Sequence, residues 1–583
     1  MPVANPGQTK NPSRNSETVL MLVGLGVIVA AALIVWGSLT LAGGQQIPGN
    51  PFAAVIMVAS GKLAWPTAAT VWAVVIVAVI GAVVGTGLYV WSGRKPHRTR
   101  VDSAQQHLGS GKEIASIRER AVAEKARSLG IDSSVAPAPF TTVEGVPIGK
   151  ELVGKGRLLG SWEDMHLDIW GPRQGKSTSR IIPAICEAPG AVLTTENKRG
   201  NLDHTRLVRE FRDEDGNPTR QVWVFDPQQV ANEPAWWWWN PLSYVEDETQ
   251  AEELAQLFSV GDDGLEAKKD PYFDPEGEDL LANLILASAL AGEPITTVYE
   301  RLVDENSCHH AVEILREHGY PMIARALNAR LGLPEKQKAG IFGTSVKMAK
   351  CLRNRSVQEW ITRGDTERPH LDLEAYIRNG ETLYCLSKEG VGSTGPLVAA
   401  LTVAATRTAE KIATASPGGR LPVPMLCPLD EAANVVRWPD LPKLYSHFGS
   451  RGIIIMTILQ SWSQGVGVFG ERNMKLLESS SNVYVYGGNV REKEYLASLS
   501  ELCGDFTRVR LSVSDARTGK SSSRSTDEKK IFTVADLQAW PRGRALVLSA
   551  GNRPTVAETV PWMAKPYADL IRQSLNEYAP KGQ

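Results

Sequence analysis

HLDIWGPRQGKSTSRIIPAI, residues 166–185, decides the fold. His166–Trp170 has the β-branched and aromatic content of a short strand, and Ser179–Ile185 opens an apolar helical pattern. Between them stand Gly171, Pro172, Arg173, Gln174, Gly175, Lys176, Ser177 and Thr178. A glycine at 175 lets the backbone approach an anion, and the next N–H groups and the positive helix end can cradle it. In such a loop Lys176 reaches the β- and γ-phosphates and the Ser177 hydroxyl binds Mg²⁺. ATP and Mg²⁺ are therefore the expected cofactors. The pattern departs from GxxxxGK[ST] at one place: the first glycine should fall at 170, which is Trp170, and stands instead at Gly171.

A phosphate loop needs a carboxylate at the end of a second apolar strand. VPMLCPL, residues 423–429, ends in Asp430 and Glu431. Asp430 is expected to hold the metal and Glu431 to orient or deprotonate the attacking water. Pro424 and Pro428 are unusual inside a central strand. A further strand, Gly452–Leu459, ends in Gln460, placed to sense the γ-phosphate, because ligands lie at the carboxyl ends of strands in open α/β sheets. Arg451, just before that strand, can reach the γ-phosphate of a neighbouring subunit as an arginine finger; a surface ion pair is the competing reading. Ala191–Thr195 reads as one more strand ending at the same sheet edge, followed by Lys198, which suits either a phosphate or solvent.

Strands are also expected at Glu381–Ser387, Asn482–Gly487 and Arg544–Ser549. Alternating strands and helices imply an α/β domain with a mostly parallel sheet. Residues 246–378 break that alternation. Helical apolar spacing recurs at Ala251–Phe258, Glu278–Leu290, Cys308–His318, Met322–Leu331 and Lys336–Arg353, with Pro271 and Pro275 marking loops. The fold class expected is a P-loop NTPase core with an inserted all-α subdomain. Its bounds are 151–245 and 379–565 for the two parts of the nucleotide domain and 246–378 for the insertion. A connector over 93–150 carries the Ala/Pro-rich run Val135–Phe140, and 566–583 forms a carboxyl-terminal tail.

Two uncharged stretches, Val19–Leu41 and Val71–Trp91, are each long enough to cross a bilayer as helices. They predict a two-helix anchor over 19–92, after a short amino terminus of residues 1–18. Lys10 and Arg14 precede the first stretch, Arg94, Lys95, Arg98 and Arg100 follow the second, and the loop between holds only Lys62. That bias places both termini in the cytoplasm of a multi-pass protein of the cell membrane, in contact with its lipid.

Lys and Arg number 63 against 64 Asp and Glu, but residues 1–100 carry +6 and the remainder −7. A uniformly basic nucleic-acid binder is excluded. The six cysteines form no CxxC pair, which argues against a zinc finger or a disulfide framework and for reduced thiols. The Trp236–Trp239 run suits packing under a turn better than base stacking. His309 and His310, adjacent on a helix, cannot face one metal. Arg517–Lys530, RTGKSSSRSTDEKK, reads as a mobile polar loop, and its internal GKS lacks a preceding strand.

IWGPRQGKSTSRIIPAI, TTENKRGNL, VFDPQ (224–228), WWWWNPL, PLDEAANV and ILQSWSQG together resemble the type IV secretion coupling proteins, the TraG/TraD-like ATPases of bacterial conjugation, in versions from high-GC Gram-positive bacteria. The resemblance runs over about residues 15–560. It implies a RecA-like motor, six copies around a channel, and ATP sites between subunits. Lys176, Ser177, Asp430, Glu431 and Gln460 fall on matching motif positions. It further implies a relaxase or relaxosome partner, single-stranded DNA bound without sequence preference, and contact with other secretion components. Two other readings stand beside it: a DNA translocase of the FtsK/HerA kind, and a membrane receptor for cargo with little ATPase activity.

Overall fold

The computed structural model describes the chain over 13–93, 99–131, 140–260, 270–388, 394–516 and 519–580, with side chains described over 26–86, 99–131, 140–260, 270–388, 394–508 and 525–580. Most of the Ala/Pro-rich run at 135–140 lies outside the described residues. The chain divides into two compact units, Met1–His97 and Arg98–Gln583.

The first unit is helical: Ser13–Ala42, Pro51–Ala59 and Thr67–Gly93. Thr67–Thr86 is one helix long and apolar enough to cross a membrane, with mean hydropathy 2.5. Within the described part of the first helix, Gly26–Ala42 is a shorter apolar segment. The connection expected to be a simple loop contains the short helix Pro51–Ala59. Asn50 caps it by accepting from Phe52 N, and proline occupies the first turn, where no N–H partner is needed. Leu39, Ala54, Leu63 and Ala69 bury one another where these helices meet. The Trp36 indole donates to Pro48 O at 2.9 Å and the Trp65 indole to Thr70 Oγ1 at 2.8 Å, which ties both rings to the helix ends.

The second unit is built on β1 (Val146–Glu151), β2 (Arg157–Gly160), β3 (His166–Trp170), β4 (Val192–Glu196), β5 (Val222–Phe225), β6 (Thr382–Leu386), β7 (Met425–Leu429), β8 (Ile453–Leu459), β9 (Val483–Gly488), β10 (Asp505–Ala516), β11 (Gly519–Lys530), β12 (Arg544–Ser549) and β13 (Thr555–Glu558). Eleven of these form one sheet in the order β2-β1-β13-β12-β9-β3-β8-β7-β4-β6-β5. From β9 to β5 every pairing is parallel. β3, β4, β6, β7 and β8 are buried along their whole length, as strands covered on both faces must be.

The sheet is mixed rather than mostly parallel. β12, β13, β1 and β2 pair antiparallel. The links β1–β2 and β12–β13 are too short for the helical crossover that parallel neighbours require. Consequently residues 146–150, which the sequence suggests belong to a connector, are part of the main sheet. Pro428 does sit inside β7. Pro428 O there accepts from Thr194 Oγ1 at 2.9 Å, so a hydroxyl of β4 bonds the strand where the ladder is sparse.

The serine-rich stretch read as a loop is instead strand β11 over its described residues. It pairs antiparallel with β10 from Asp505↔Lys530 to Ala516↔Gly519. Its sequence lacks apolar alternation, so the strand is held by backbone bonds to its partner, which composition does not reveal.

Between β5 and β6 the described residues contain helices and no strand, as expected. Phe273–Leu290 is the central helix, buried from Leu280 to Ser288. Pro275 lies in its first turn rather than in a loop, where its missing N–H has no helical partner to lose. Trp237 and Trp239 are fully buried, Trp237 lies edge-on to Trp360 at 5.5 Å, and Trp236 stacks on Trp223 at 5.0 Å. The tryptophan run packs against its neighbours.

Candidate nucleotide site

β8 lies between β3 and β7, all three parallel. The loop after β3, the Asp430–Glu431 pair after β7 and Gln460 after β8 therefore share one end of the sheet. The glycine displaced to 171 has a physical reason. A Cβ on Gly171 would lie 2.1 Å from the Asn489 carbonyl oxygen, and Gly171 N donates to Gly488 O at 2.9 Å. Asn489 Nδ2 donates to Pro172 O at 2.9 Å, closing the loop's entry onto the end of β9. Trp170, in the expected glycine position, lays its ring over Gly487, where a Cβ would come within 2.0 Å. Sequence reasoning missed Gly487, Gly488 and Asn489; the paired glycines in YGGN are the one signal that could have marked a close approach.

Arg173 and Gly175 take positive φ of 62° and 84°, turning the loop before the helix. Thr178 Oγ1 and Ser179 N both donate to Gly175 O, at 3.1 and 3.0 Å. The helix begins as a wide turn, Ser177–Ile181, and continues as Ile182–Glu187. Arg180 anchors it from beneath. It is 1% exposed and donates to Asp168 of β3 at 2.9 Å and to Pro147 O of β1. Burial, with the Arg180 charge, pushes the neighbouring His166 imidazole well below its ordinary pKa, so it is neutral.

Lys176 Nζ donates to Asp430 Oδ1 at 2.6 Å and to Glu431 Oε1 at 2.9 Å. Gln460 Nε2 donates to both Glu431 oxygens at 2.7 Å. Burial opposes the charged amine of Lys176, but the two carboxylates outweigh it and its pKa is raised. Burial also raises the pKa of Asp430, against the pull of Lys176. The two directions agree physically: one ammonium faces two carboxylates, so the cation is held while the second negative charge is disfavoured. Glu431 takes φ 53°, a left-handed conformation rare for glutamate, and its N–H donates to Asp430 Oδ1 at 3.0 Å.

Glu196, at the end of β4, is a site neighbour the sequence did not single out. Asn201 N donates to both its oxygens, at 3.0 and 2.8 Å, so it caps the helix Gly200–Glu210. Burial, and then the Asp430 charge, pushes its carboxyl well above the usual range. Thr195 Oγ1 donates to Asp430 O at 2.9 Å. Arg451 is not brought to this group within one chain. It ends the helix Leu441–Ser450 at the amino end of β8, where its guanidinium donates to Gly419 O at 2.8 Å. The length of β8 separates it from Gln460.

The set fits a nucleoside polyphosphate and a divalent cation. A glycine-turned helix start and a lysine held between two carboxylates meet phosphate chemistry, and the paired carboxylates at the end of β7 meet that of a hard cation.

Residues 424–542 match the family model described as the TraM recognition site of TraD and TraG. No curated protein matches the sequence. Among solved structures, the unbound monoclinic form of the bacterial conjugative coupling protein TrwBdeltaN70 is 15% identical, with TM-score 0.50, covering 76% of this chain and 92% of that one. Its trigonal form in complex with sulphate is also 15% identical, with TM-score 0.51 and coverage of 76% and 93%. Plasmid coupling protein TrwB in complex with ADP and Mg²⁺ is 15% identical, with TM-score 0.48 and coverage of 71% and 89%. At these identities the likeness establishes the fold.

Proposed function

We propose that this chain, whose fold is TrwB-like and whose residues 424–542 match a TraG/TraD family model, is a membrane-anchored, Mg²⁺-dependent ATPase that recruits cargo and delivers it to a type IV secretion channel during conjugation. One observation carries the reading. Lys176, Asp430, Glu431 and Gln460, from three separate strand ends, join in one hydrogen-bonded chain.

In this reading the RecA-like core holds ATP on Gly171–Thr178. Mg²⁺, held by Ser177 and Asp430, supplies charge neutralisation at the phosphates. Lys176 turns from the carboxylates to the phosphate oxygens. Glu431, freed of Lys176, orients the attacking water and accepts its proton. Gln460 holds the Glu431 carboxylate in place and reports the occupied state to β8. The protein's contribution is positioning and charge stabilisation in a site closed to bulk water.

Six copies in a ring complete the assembly, with Arg451 acting on a neighbour's nucleotide; its place away from its own chain's site supports a role only in trans. The helices Ser13–Ala42 and Thr67–Gly93 form the anchor, with both termini cytoplasmic. A relaxase or relaxosome protein and single-stranded DNA are the cargo, and other secretion components receive it.

The test is ATP hydrolysis by the full chain in lipid nanodiscs, wild type beside Glu431→Gln, with and without single-stranded DNA. Turnover that DNA stimulates, and that falls roughly 10²–10⁴-fold in Glu431→Gln while ATP still binds, is the expected result. Equal turnover in both proteins would remove Glu431 from the mechanism. Tight ATP binding without turnover in the wild type would leave a receptor.

A further inference from the structure

Glu431 and Gln460 are held by more than each other. Gln460 N donates to Gln464 Oε1 at 2.9 Å, and Gln464 Nε2 donates to Asn434 Oδ1 at 3.1 Å. Asn434 N donates back to Glu431 O at 2.8 Å, and its side-chain amide reaches Glu431 Oε2 at 3.5 Å. With the bonds from Gln460 Nε2 to the Glu431 carboxylate, the circuit Glu431–Asn434–Gln464–Gln460 closes on itself. Gln464 thus fixes the backbone of one member and, through Asn434, the turn that carries the other. That turn includes the left-handed Glu431, a conformation that persists only where its surroundings over-determine it.

Gln464 stands in the first turn of the helix Trp462–Ser480, and that turn is gripped from outside. Trp462 N donates to Glu492 Oε2 at 2.9 Å, Ser463 N to Glu492 Oε1 at 3.0 Å, and the Ser463 hydroxyl to the same oxygen. Ser461 Oγ takes the next N–H, from Gln464, at 3.3 Å. A carboxylate here satisfies donors that have no partner within the helix, and it meets the helix's positive end. Glu492 comes from elsewhere in the sheet. It ends the segment that leaves β9, and the start of that segment, Gly488 and Asn489, closes the entry of the phosphate loop. β9, β3 and β8 are neighbours in that order, so residues 488–492 cross two strand spacings, roughly 10 Å. Four residues of extended chain reach about 14 Å, which leaves little slack. Val490, buried in the core, pins the middle of the segment.

We propose that residues 488–492 couple the phosphate loop to the Glu431–Gln460 pair, with Glu492 and Gln464 as positioning residues for that pair. The proposal rests on the reading of this site as an ATPase and adds the route by which an occupied phosphate loop sets the base. A nucleotide that shifts the loop's entry pulls on Gly488 and Asn489. Glu492 passes the shift to the first turn of the helix after β8, and Gln464 passes it to Gln460 and Asn434, on either side of Glu431.

The test uses the full chain in lipid nanodiscs and reads kcat and KM for ATP separately. Glu492→Ala and Gln464→Ala should each lower kcat roughly 10–10²-fold with KM little changed, as misplacement of a reacting group does. Glu492→Gln keeps an acceptor oxygen and should recover part of the loss. In a Glu431→Gln background neither substitution should cost anything further, because both act through Glu431. Asp372→Ala removes a cap of the same kind from the helix Leu373–Arg378, where Asp372 accepts from Glu374 N and Ala375 N. It should lower the melting temperature without moving kcat. An unchanged kcat in Glu492→Ala, the same fractional loss with and without Glu431, or an equal loss in Asp372→Ala would overturn the proposal. Hydrogen exchange reads the coupling without turnover. A saturating non-hydrolysable ATP analogue with Mg²⁺ should slow exchange of the amides at 461–466 in the wild type. It should leave them unaltered in Asn489→Gly, which keeps the positive φ but loses the bond to Pro172 O. Slowing in both proteins, or in neither, would overturn the link through 488–492. Slowing in the wild type alone, with no turnover in any protein, would defeat the ATPase and leave the coupling standing.

Discussion

Lys176 Nζ lies 2.6 Å from Asp430 Oδ1, a bond between residues 254 apart in sequence that ties the phosphate loop to the end of β7. With Glu431 at 2.9 Å the lysine balances two carboxylates that are otherwise buried side by side. In the proposed mechanism, entry of a polyphosphate would give the amine competing acceptors and leave the carboxylates for a metal and a water.

Lys176→Ala should abolish ATP turnover and also destabilise the fold, because it leaves two buried carboxylates uncompensated. Breaking a buried pair this way costs about 3–5 kcal/mol. The sign with pH is set by Asp430, whose pKa burial already raises and which loses the opposing pull of the lysine. A carboxylate with a raised folded pKa costs stability above its unfolded value, and the cost fades as pH falls toward that value. The melting deficit of Lys176→Ala should thus be largest near pH 8 and shrink toward pH 5. Thermal melts across that range check it; a deficit that grows on acidification would contradict the assignment.

Glu196 gives a second pH signature. Its carboxyl is buried and held well above its ordinary 4.5, first by desolvation and then by Asp430. The folded chain keeps this proton where the unfolded chain has lost it, so stability falls as pH rises from about 4.5 toward the raised value. Glu196→Gln keeps one acceptor for Asn201 N and cannot ionise. Its melting temperature relative to wild type should rise with pH across that window and level off below it. Parallel curves for the two proteins would show that Glu196 titrates as it does in the unfolded chain.

The coming together of Lys176, Asp430, Glu431 and Gln460 was legible in the sequence because these residues sit in contiguous runs. The loop GPRQGKST, the Asp-Glu pair and Gln460 each stand directly after an apolar strand, and the sheet brings all three strand ends together. Arg451 marks the limit, since its place before β8 puts it at the opposite end from Gln460. Glu196 was not legible, because its role depends on lying beside β7, a strand over two hundred residues away. The antiparallel wing was missed for a related reason: β1 and β13 are short and carry charge, β1 a glycine as well, and they become strands through their neighbours. β11 is the extreme case, with a loop's composition and a strand's pairing.

Gly171 offers a test of the displaced loop. An alanine Cβ there would meet the Asn489 carbonyl oxygen at 2.1 Å, and neither backbone can yield without moving β9. Gly171→Ala should destabilise by roughly 1–3 kcal/mol, as overpacking does, and weaken ATP binding with it. Gly343 is the control. It lies in the helix Glu335–Met348 with nothing near its Cβ position, so Gly343→Ala should stabilise by about 0.5–1 kcal/mol through helix propensity. Melting curves and titration of a fluorescent ATP analogue read both; a Gly171→Ala protein with native stability and affinity would show that the loop does not need this approach.

Arg180 and Asp168 test how the loop is held from below. The pair is 1% and 0% exposed, bonded at 2.9 and 3.2 Å, and the arginine also reaches Pro147 O and His166 Nδ1. It thereby fixes the first helical turn after Lys176 to β3 and β1 together. Arg180→Met strips the cation from a fully buried aspartate and leaves Pro147 O without its donor, which should cost about 3–5 kcal/mol. Asp168→Leu alone strands the guanidinium instead and should cost a similar amount. The double variant Arg180→Met/Asp168→Leu removes both charges and should recover most of the loss, because a buried pair contributes little beyond an apolar replacement of similar volume. A double-mutant cycle by chemical denaturation measures this coupling. If the pair also positions the loop, the double variant should regain stability while ATP affinity stays reduced. Full recovery of both would make Arg180 a packing residue only.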